Sequence, residues 1–332
     1  EPRPGVPLCT LFWLKENGLI PADKPMAASL PGLVVSSLCG APITSDLTQG
    51  HSYGALNVRT GQWHRPVIER LGLDAVTWPG LVGEGAVVGE LAVGTRRIPV
   101  YAPVGDYQCA QVGAFLQDDD LSINVSTGSA VIRLARTIEF GDYQTRQWFD
   151  GRYLKTITHI PGGRALNALA RLLSELAVAQ GIALKDPWDY ILAEASKVES
   201  TDLRIDPAFY FSATGDRGSF ANVREENLTV GHVFRAALDG MADNYVRCSG
   251  RVAPTRDWKQ LLFSGGVALK TPLLRKLISD RLNAPARTSS TEEDSVLGLL
   301  ILALKFTGRT GSVMEAIAAV SRECGSPVRP GS

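Results

Sequence analysis

Residues 121–135, LSINVSTGSAVIRLA, place two apolar runs on either side of a short polar turn. Leu121 to Val125 and Ala130 to Ala135 each have the length of a strand, and Ser126-Thr127-Gly128-Ser129 between them has hairpin-turn chemistry. Upstream, Ala86-Val87-Val88, Glu90 to Val93 and Ile98 to Ala102 are short β-rich runs, punctuated by Gly83, Gly85, Gly89 and Gly94. The last run passes through Val104-Gly105-Asp106 into a helix predicted from Tyr107 to Leu116. Farther upstream, Thr10 to Glu16 reads as helical. Ala28 to Leu38 carries an apolar stripe that stops at Gly40, ahead of Pro42. Gln117-Asp118-Asp119-Asp120 reads as a solvated loop.

Downstream of the hairpin, Arg164 to Gln180 is a predicted helix with Leu166, Leu169, Leu173 and Leu176 on one face. Leu228 to Val246 has the clearest helical period, through Val230, Val233, Phe234, Ala237, Leu238, Met241 and Tyr245. Leu261 to Phe263 is a short buried strand leading into Ser264-Gly265-Gly266. A helix then opens at Thr271 with Pro272 at its first position. A final long helix starts near Asp294, read as its N-cap, and reaches about Phe306. Strands and helices alternate throughout, so the fold class is α/β.

A chain of 332 residues suggests two domains. A second unit with its own alternation begins near residues 113–120, and we draw the boundary to give 1–114 and 115–332. Lys plus Arg and Asp plus Glu both number 34, so the formal net charge is zero. No global positive field recruits nucleic acid or an anionic membrane. The longest apolar run, Val296 to Leu304, is far short of the about 20 residues that span a bilayer. With no secretory signal visible, a cytoplasmic protein is expected. The five cysteines, Cys9, Cys39, Cys109, Cys248 and Cys324, form no CxxC pair and read as free thiols. The four histidines show no metal spacing, so no resident metal site is expected.

Three glycine-bearing turns follow apolar runs: Ser126-Thr127-Gly128-Ser129, Pro161-Gly162-Gly163 and Ser264-Gly265-Gly266. Glycine admits backbone N–H groups close to phosphate oxygens, and an adjacent hydroxyl adds a donor without charge. Three such turns in a chain without a cationic patch favour a nucleotide held largely by neutral donors. There is no GxxxxGK[ST], and no GxGxxG opens a βαβ unit, so P-loop and Rossmann readings fit poorly. Asp106, at the end of an apolar strand, is the candidate general base for a substrate hydroxyl attacking a phosphoryl group. As an N-cap for the helix that follows it would have a structural role instead, and the two roles are compatible.

The segments Gly105-Asp106-Tyr107-Gln108-Cys109-Ala110 and Ile123 to Ser129 resemble the catalytic-aspartate and phosphate-binding block of the FGGY carbohydrate kinases. The resemblance continues through Pro161-Gly162-Gly163-Arg164-Ala165-Leu166-Asn167, Phe263-Ser264-Gly265-Gly266-Val267-Ala268 and Thr291-Glu292-Glu293-Asp294-Ser295-Val296-Leu297-Gly298. Upstream, Ser45-Asp46-Leu47-Thr48 through Ser52-Tyr53-Gly54 also fits. Phe149-Asp150-Gly151-Arg152-Tyr153-Leu154 and Asn227 to Val233 are most similar to the sedoheptulokinase branch.

The resemblance implies an actin-like, ribonuclease-H-like pair of domains with ATP in the cleft between them, and magnesium arriving with the nucleotide. Asp106 would be the general base. Thr127 and Gly128 would face the γ-phosphate, with Ser126 and Ser129 as neighbouring donors. Gly163 and Asn167 would lie along the nucleotide, Gly265 and Gly266 against adenosine, and Thr271 would offer a hydroxyl toward the base or cap its helix. The implied partners are a small-molecule sugar and ATP, with homo-oligomerisation left open. The implied reaction converts sedoheptulose to its 7-phosphate; another ketose or polyol, or a non-catalytic nucleotide- or sugar-binding role, is the alternative.

Three positions depart from the family pattern: Ser126 stands for glycine, Tyr107 for glutamine and Thr271 for asparagine. The family's N-terminal DxGTT hairpin and the segment supplying most sugar contacts have no counterpart here. The chain opens with EPRPG and has no initiator Met. It is therefore expected to lack the family's N-terminal part and, by itself, to show little activity.

Overall fold

The computed structural model describes residues 5–23, 25–291 and 293–324. The tail Cys324 to Ser332, whose Gly and Pro predict a disordered end, lies outside the described residues beyond Cys324, as does Glu292.

The hairpin anticipated at 121–135 is the centre of a six-stranded sheet. Asp120–Val125 pairs antiparallel with Gly128–Ala135, with Val125 opposite Ser129, so the connection is tight. On one side, Gln260–Ser264 and then Ala286–Thr288 add in parallel. On the other, Tyr153–Pro161 and Gln144–Gln147 add antiparallel. These two strands escaped the sequence reading because TRQ and the Lys155, Thr156, Thr158 and His159 sequence blur the apolar alternation. A positive φ at His159 and a register shift between Ile157 and Ile160 interrupt the ladder there as well.

Both faces of the sheet are covered. Helices Gly163–Ala179 and Val230–Val252 bury Leu166, Leu169, Phe234, Leu238, Met241 and Tyr245 against Leu121, Ile123, Val125 and Val131. On the opposite face, Asp106–Gly113, Asp294–Phe306 and Val313–Glu323 bury Cys109, Val112, Ile301, Leu302 and Ile317 against Ile132, Leu134 and Leu262. The helix carrying Asp106 thus lies in the core of the second unit, and the boundary drawn at 114/115 runs through packed side chains.

Residues ahead of the sheet form a smaller assembly. Its core joins Leu8, Ile68, Leu73 and Val76 to Tyr53, Trp63 and Trp78. The Tyr53 and Trp63 rings meet edge-on at 5.3 Å, and Trp63 and Trp78 are 5.2 Å apart. Thr44–Asp46 pairs in parallel with Gly80–Val82, and Val87–Val93 forms a hairpin with Arg96–Tyr101. Helix Leu30–Cys39 ends where its stripe stops, on Gly40 at φ 64°.

Two local expectations change. The loop 117–120 is not uniformly solvated: Asp120 opens the first strand fully buried, paired with Arg287. Asp294 is also not an N-cap but the first residue of its helix, and it is buried.

Candidate functional site

The helix bearing the candidate base begins at Asp106, one residue earlier than expected, with Gly105 in the capping position. Asp106 is exposed, and its Oδ1 accepts from the Tyr107 amide at 2.7 Å, so the carboxylate completes the first turn while still facing solvent. Its backbone carbonyl accepts from Ser295 Oγ at 3.5 Å.

Gly105 is held from the smaller assembly. Its amide donates to Thr48 Oγ1 at 2.8 Å, and that hydroxyl donates to Asp46 Oδ1 at 2.7 Å. A Cβ at Gly105 would stand 2.4 Å from Gln108 Oε1 and 3.0 Å from the Thr48 carbonyl, so a larger residue there would displace the Gln108 side chain. Gln108 reaches the Gln147 carbonyl at 3.1 Å, tying the same helix to the sheet edge. Burial pushes the Asp46 carboxyl up to about 6, against the lowering effect of the Gln49 amide and the Thr48 hydroxyl. In the sequence the 45–48 segment carries no assigned role, and its Ser-Asp-x-Thr turn is the signal that marks it.

The three glycine turns converge. Gly163 N donates to the Ser126 carbonyl at 2.8 Å and Arg164 N to that of Thr127 at 3.1 Å, so helix Gly163–Ala179 starts directly on the hairpin turn. A Cβ at Gly162 would lie 2.4 Å from Ser129 Oγ and 2.7 Å from the Ser126 carbonyl. Gly265, at φ +86°, brings the third turn alongside: a Cβ there would meet the Val125 carbonyl at 2.6 Å. Asn124, within the Ile123 to Ser129 segment, links the turns by donating to Ser264 Oγ at 3.0 Å. Val267 closes the gap, its methyl 3.0 Å from where a Gly163 Cβ would stand.

Within this cluster the candidate residues differ in exposure. Thr127 and Gly128 are exposed, with open space where a Gly128 Cβ would be. Ser126 turns its hydroxyl to the Gly128 carbonyl at 2.9 Å. Ser129 is buried and accepts from Tyr245 Oη at 2.9 Å, so its side chain serves the core and Thr127 is the turn's outward hydroxyl. Thr271 is buried at the N-cap position of Pro272–Leu282, but its side chain makes no capping bond. Gly266 starts the short helix that precedes it.

Thr127 and Asn167 line one cavity of about 580 Å³, together with Arg164, Arg171, Ser174 and Trp188. The Arg164 guanidinium stacks 4.3 Å from the Tyr210 ring. Beside the neutral donors of the turns, the cavity presents two guanidinium groups, suited to phosphate oxygens. They were legible as the polar side of the helix, since Arg164, Asn167 and Arg171 are spaced three and four apart. Among the described residues no group of three or more His, Cys, Asp or Glu side chains could hold a metal ion. The five cysteines are free thiols, and no helix among the described residues is long and apolar enough to cross a membrane.

No family model matches the chain. Its sequence is 23% identical over 330 residues to L-fuculokinase of Escherichia coli K12, covering 94% of this chain and 67% of that protein. L-fuculokinase of Salmonella typhi is likewise 23% identical, over 341 residues, with 95% and 67% covered. Among solved structures, a ligand-bound xylulose kinase from Lactobacillus acidophilus superposes with TM-score 0.78 at 19% identity, covering 97% of this chain and 70% of that one. Plasmodium falciparum glycerol kinase with ADP gives TM-score 0.75 at 17% identity, covering 94% and 65%. The fold is that of the actin-like sugar kinases, and the sequence relatives are L-fuculokinases.

Proposed function

We propose that the protein transfers a phosphoryl group from MgATP to a primary hydroxyl of a sugar, sedoheptulose first among candidates. The observation that carries this reading is the convergence of three glycine turns, with Thr127 and Gly128 outward, on the sheet that also anchors the helix of an exposed Asp106. Asp106 takes the hydroxyl proton as the oxygen attacks the γ-phosphorus. Thr127, the Gly128 backbone, Arg164 and Arg171 meet the phosphates, while Gly163 and Asn167 lie along the nucleotide. Gly265 and Gly266 pack against adenosine, with Thr271 beside the base. Magnesium enters with ATP and is held chiefly by its phosphates. The chain's similarity to L-fuculokinases favours a second reading of the acceptor, a deoxyketose in place of sedoheptulose.

Two measurements test the proposal. Calorimetric titration with MgATP should show binding that survives Asp106→Asn and weakens in Arg171→Gln; a chain that binds no ATP sinks the nucleotide site. ADP release by the intact gene product, followed with sedoheptulose, L-fuculose and xylulose, ranks the acceptors by kcat/KM. Asp106→Asn should lower kcat by about 10²- to 10⁴-fold, the usual contribution of a general base. Unchanged turnover in that variant removes Asp106 from the base role, and preference for L-fuculose replaces sedoheptulose as substrate.

A further inference from the structure

A separate cavity of about 800 Å³ lies between the hairpin Arg204–Asp206/Ser219–Ala221, helix Val230–Val252 and the end of helix Pro272–Leu282. The helix is pressed onto the hairpin at Gly240, where a Cβ would collide with the Ile205 carbonyl at 2.0 Å. Four arginines line the space, and they are not equivalent. Arg235 is matched by Asp239 at 2.9 Å, and Arg281 by Asp239 at 2.6 Å and Asp243 at 2.8 Å. Arg204 and Arg247, both exposed, have no carboxylate partner among the described residues. The remaining carboxylate of the lining, Asp206, accepts from the Ala208 amide at 3.1 Å.

Asn244 supplies an independent observation. It lines the same cavity at 3% exposure, and its Oδ1 accepts from the Arg247 guanidinium. Its Nδ2 is buried with no hydrogen-bond partner. A buried donor left unpaired is costly, and here it shares the cavity with two guanidinium groups that have no carboxylate partner among the described residues. The unmet needs are all for acceptors. Ser200 and Ser219 add hydroxyls to the same wall.

We propose that this cavity binds a phosphorylated polyol, with its phosphate held by Arg204, Arg247 and Asn244 Nδ2. The site is distinct from the cavity at Thr127, and it does not rest on the kinase reading. Calorimetric titration with inorganic phosphate and with fructose 6-phosphate tests it. Fructose 6-phosphate should bind saturably to the wild type and equally well to Arg171→Gln, which weakens only the other cavity. Arg247→Gln and Arg204→Gln, at exposed positions where the fold is retained, should each weaken binding by about tenfold, the loss of one charge-assisted contact. Asn244→Asp should weaken it further by placing a carboxylate against the phosphate. Absence of saturable binding to the wild type overturns the proposal. So does equal affinity in Arg247→Gln and Arg204→Gln, or loss confined to Arg171→Gln.

Discussion

Asp46 is a buried carboxylate that accepts from the Thr48 hydroxyl, which in turn accepts from the Gly105 amide of the loop before Asp106. Burial raises its folded-state pKa from 3.8 to about 6, and Asp294 is raised from 3.8 to about 6 for the same reason. Between those values the folded protein holds protons that the unfolded chain has released, so the contribution of these groups to stability falls as pH rises through the window. Above it the cost of keeping the buried charges is constant. Asp46→Asn keeps an acceptor for Thr48 and Gln49 while removing the titration. Tm measured from about pH 4 to 7 should gain in the variant relative to wild type as pH rises, and parallel curves would contradict the coupling. Thr48→Val breaks the relay differently, leaving the buried Gly105 amide unpaired at a cost of about 1–3 kcal/mol. On the kinase reading its kcat should fall while KM for ATP stays near wild type, since Thr48 touches the loop before Asp106 and none of the glycine turns. A rise in KM for ATP with unchanged kcat would show that the relay does not position the base.

The crossing of helices Asp106–Gly113 and Asp294–Phe306 depends on two glycines. A Cβ on Gly113 would stand 1.8 Å from the Asp294 carbonyl, and one on Gly298 would stand 1.9 Å from that of Cys109. Each contact is with backbone atoms, which leaves no flexible side chain to give way. Gly298→Ala should therefore destabilise by about 3 kcal/mol, the upper end of ordinary overpacking, read as a lower urea midpoint at unchanged slope. Stability within experimental error of wild type would mean that the helices can separate freely. This contact also shows where sequence reading stops. The period of 294–306 and the apolar start of 106–113 predict two helices, and Gly298 was legible as part of a motif. That Gly298 meets Cys109 is a pairing across nearly the whole intervening chain, which no local pattern encodes. Strands 121–125 and 130–135 were readable because a turn joins them; Tyr153–Pro161 was not, because its partner and its polar residues are explained only by the assembled sheet. Asp120 looks solvated in the sequence for the same reason: its partner, Arg287, lies on the distant strand Ala286–Thr288. At the candidate site the glycine turns were visible as glycines, whereas the inward turn of Ser129 required Tyr245.

At the scale of the molecule, the two assemblies are built to different strengths. The smaller rests on Leu8, Ile68, Leu73 and the Tyr53, Trp63 and Trp78 rings, with a parallel pair of only three residues a side. The larger encloses a six-stranded sheet with helices on both faces. The links between them include the Thr48 relay, the Asp46 amide on the Pro103 carbonyl at 3.4 Å and Gln147 Nε2 on the Val58 carbonyl at 3.1 Å. The smaller core is expected to open before the sheet dissolves. Asp106 then belongs with the sheet: its helix buries Cys109 and Val112 in the larger core and crosses Gly298 without a gap. Hydrogen exchange by mass spectrometry should find amides of 44–82 exchanging first, and those of 121–125, 131–134 and 154–157 last. The decisive peptide is 106–116. If it is protected with the sheet, the candidate base and the glycine turns move as one body, and the smaller assembly can swing or loosen against them without disturbing their geometry. If it exchanges with 44–82, Asp106 follows the smaller assembly, and the base would approach the turns only when the two close.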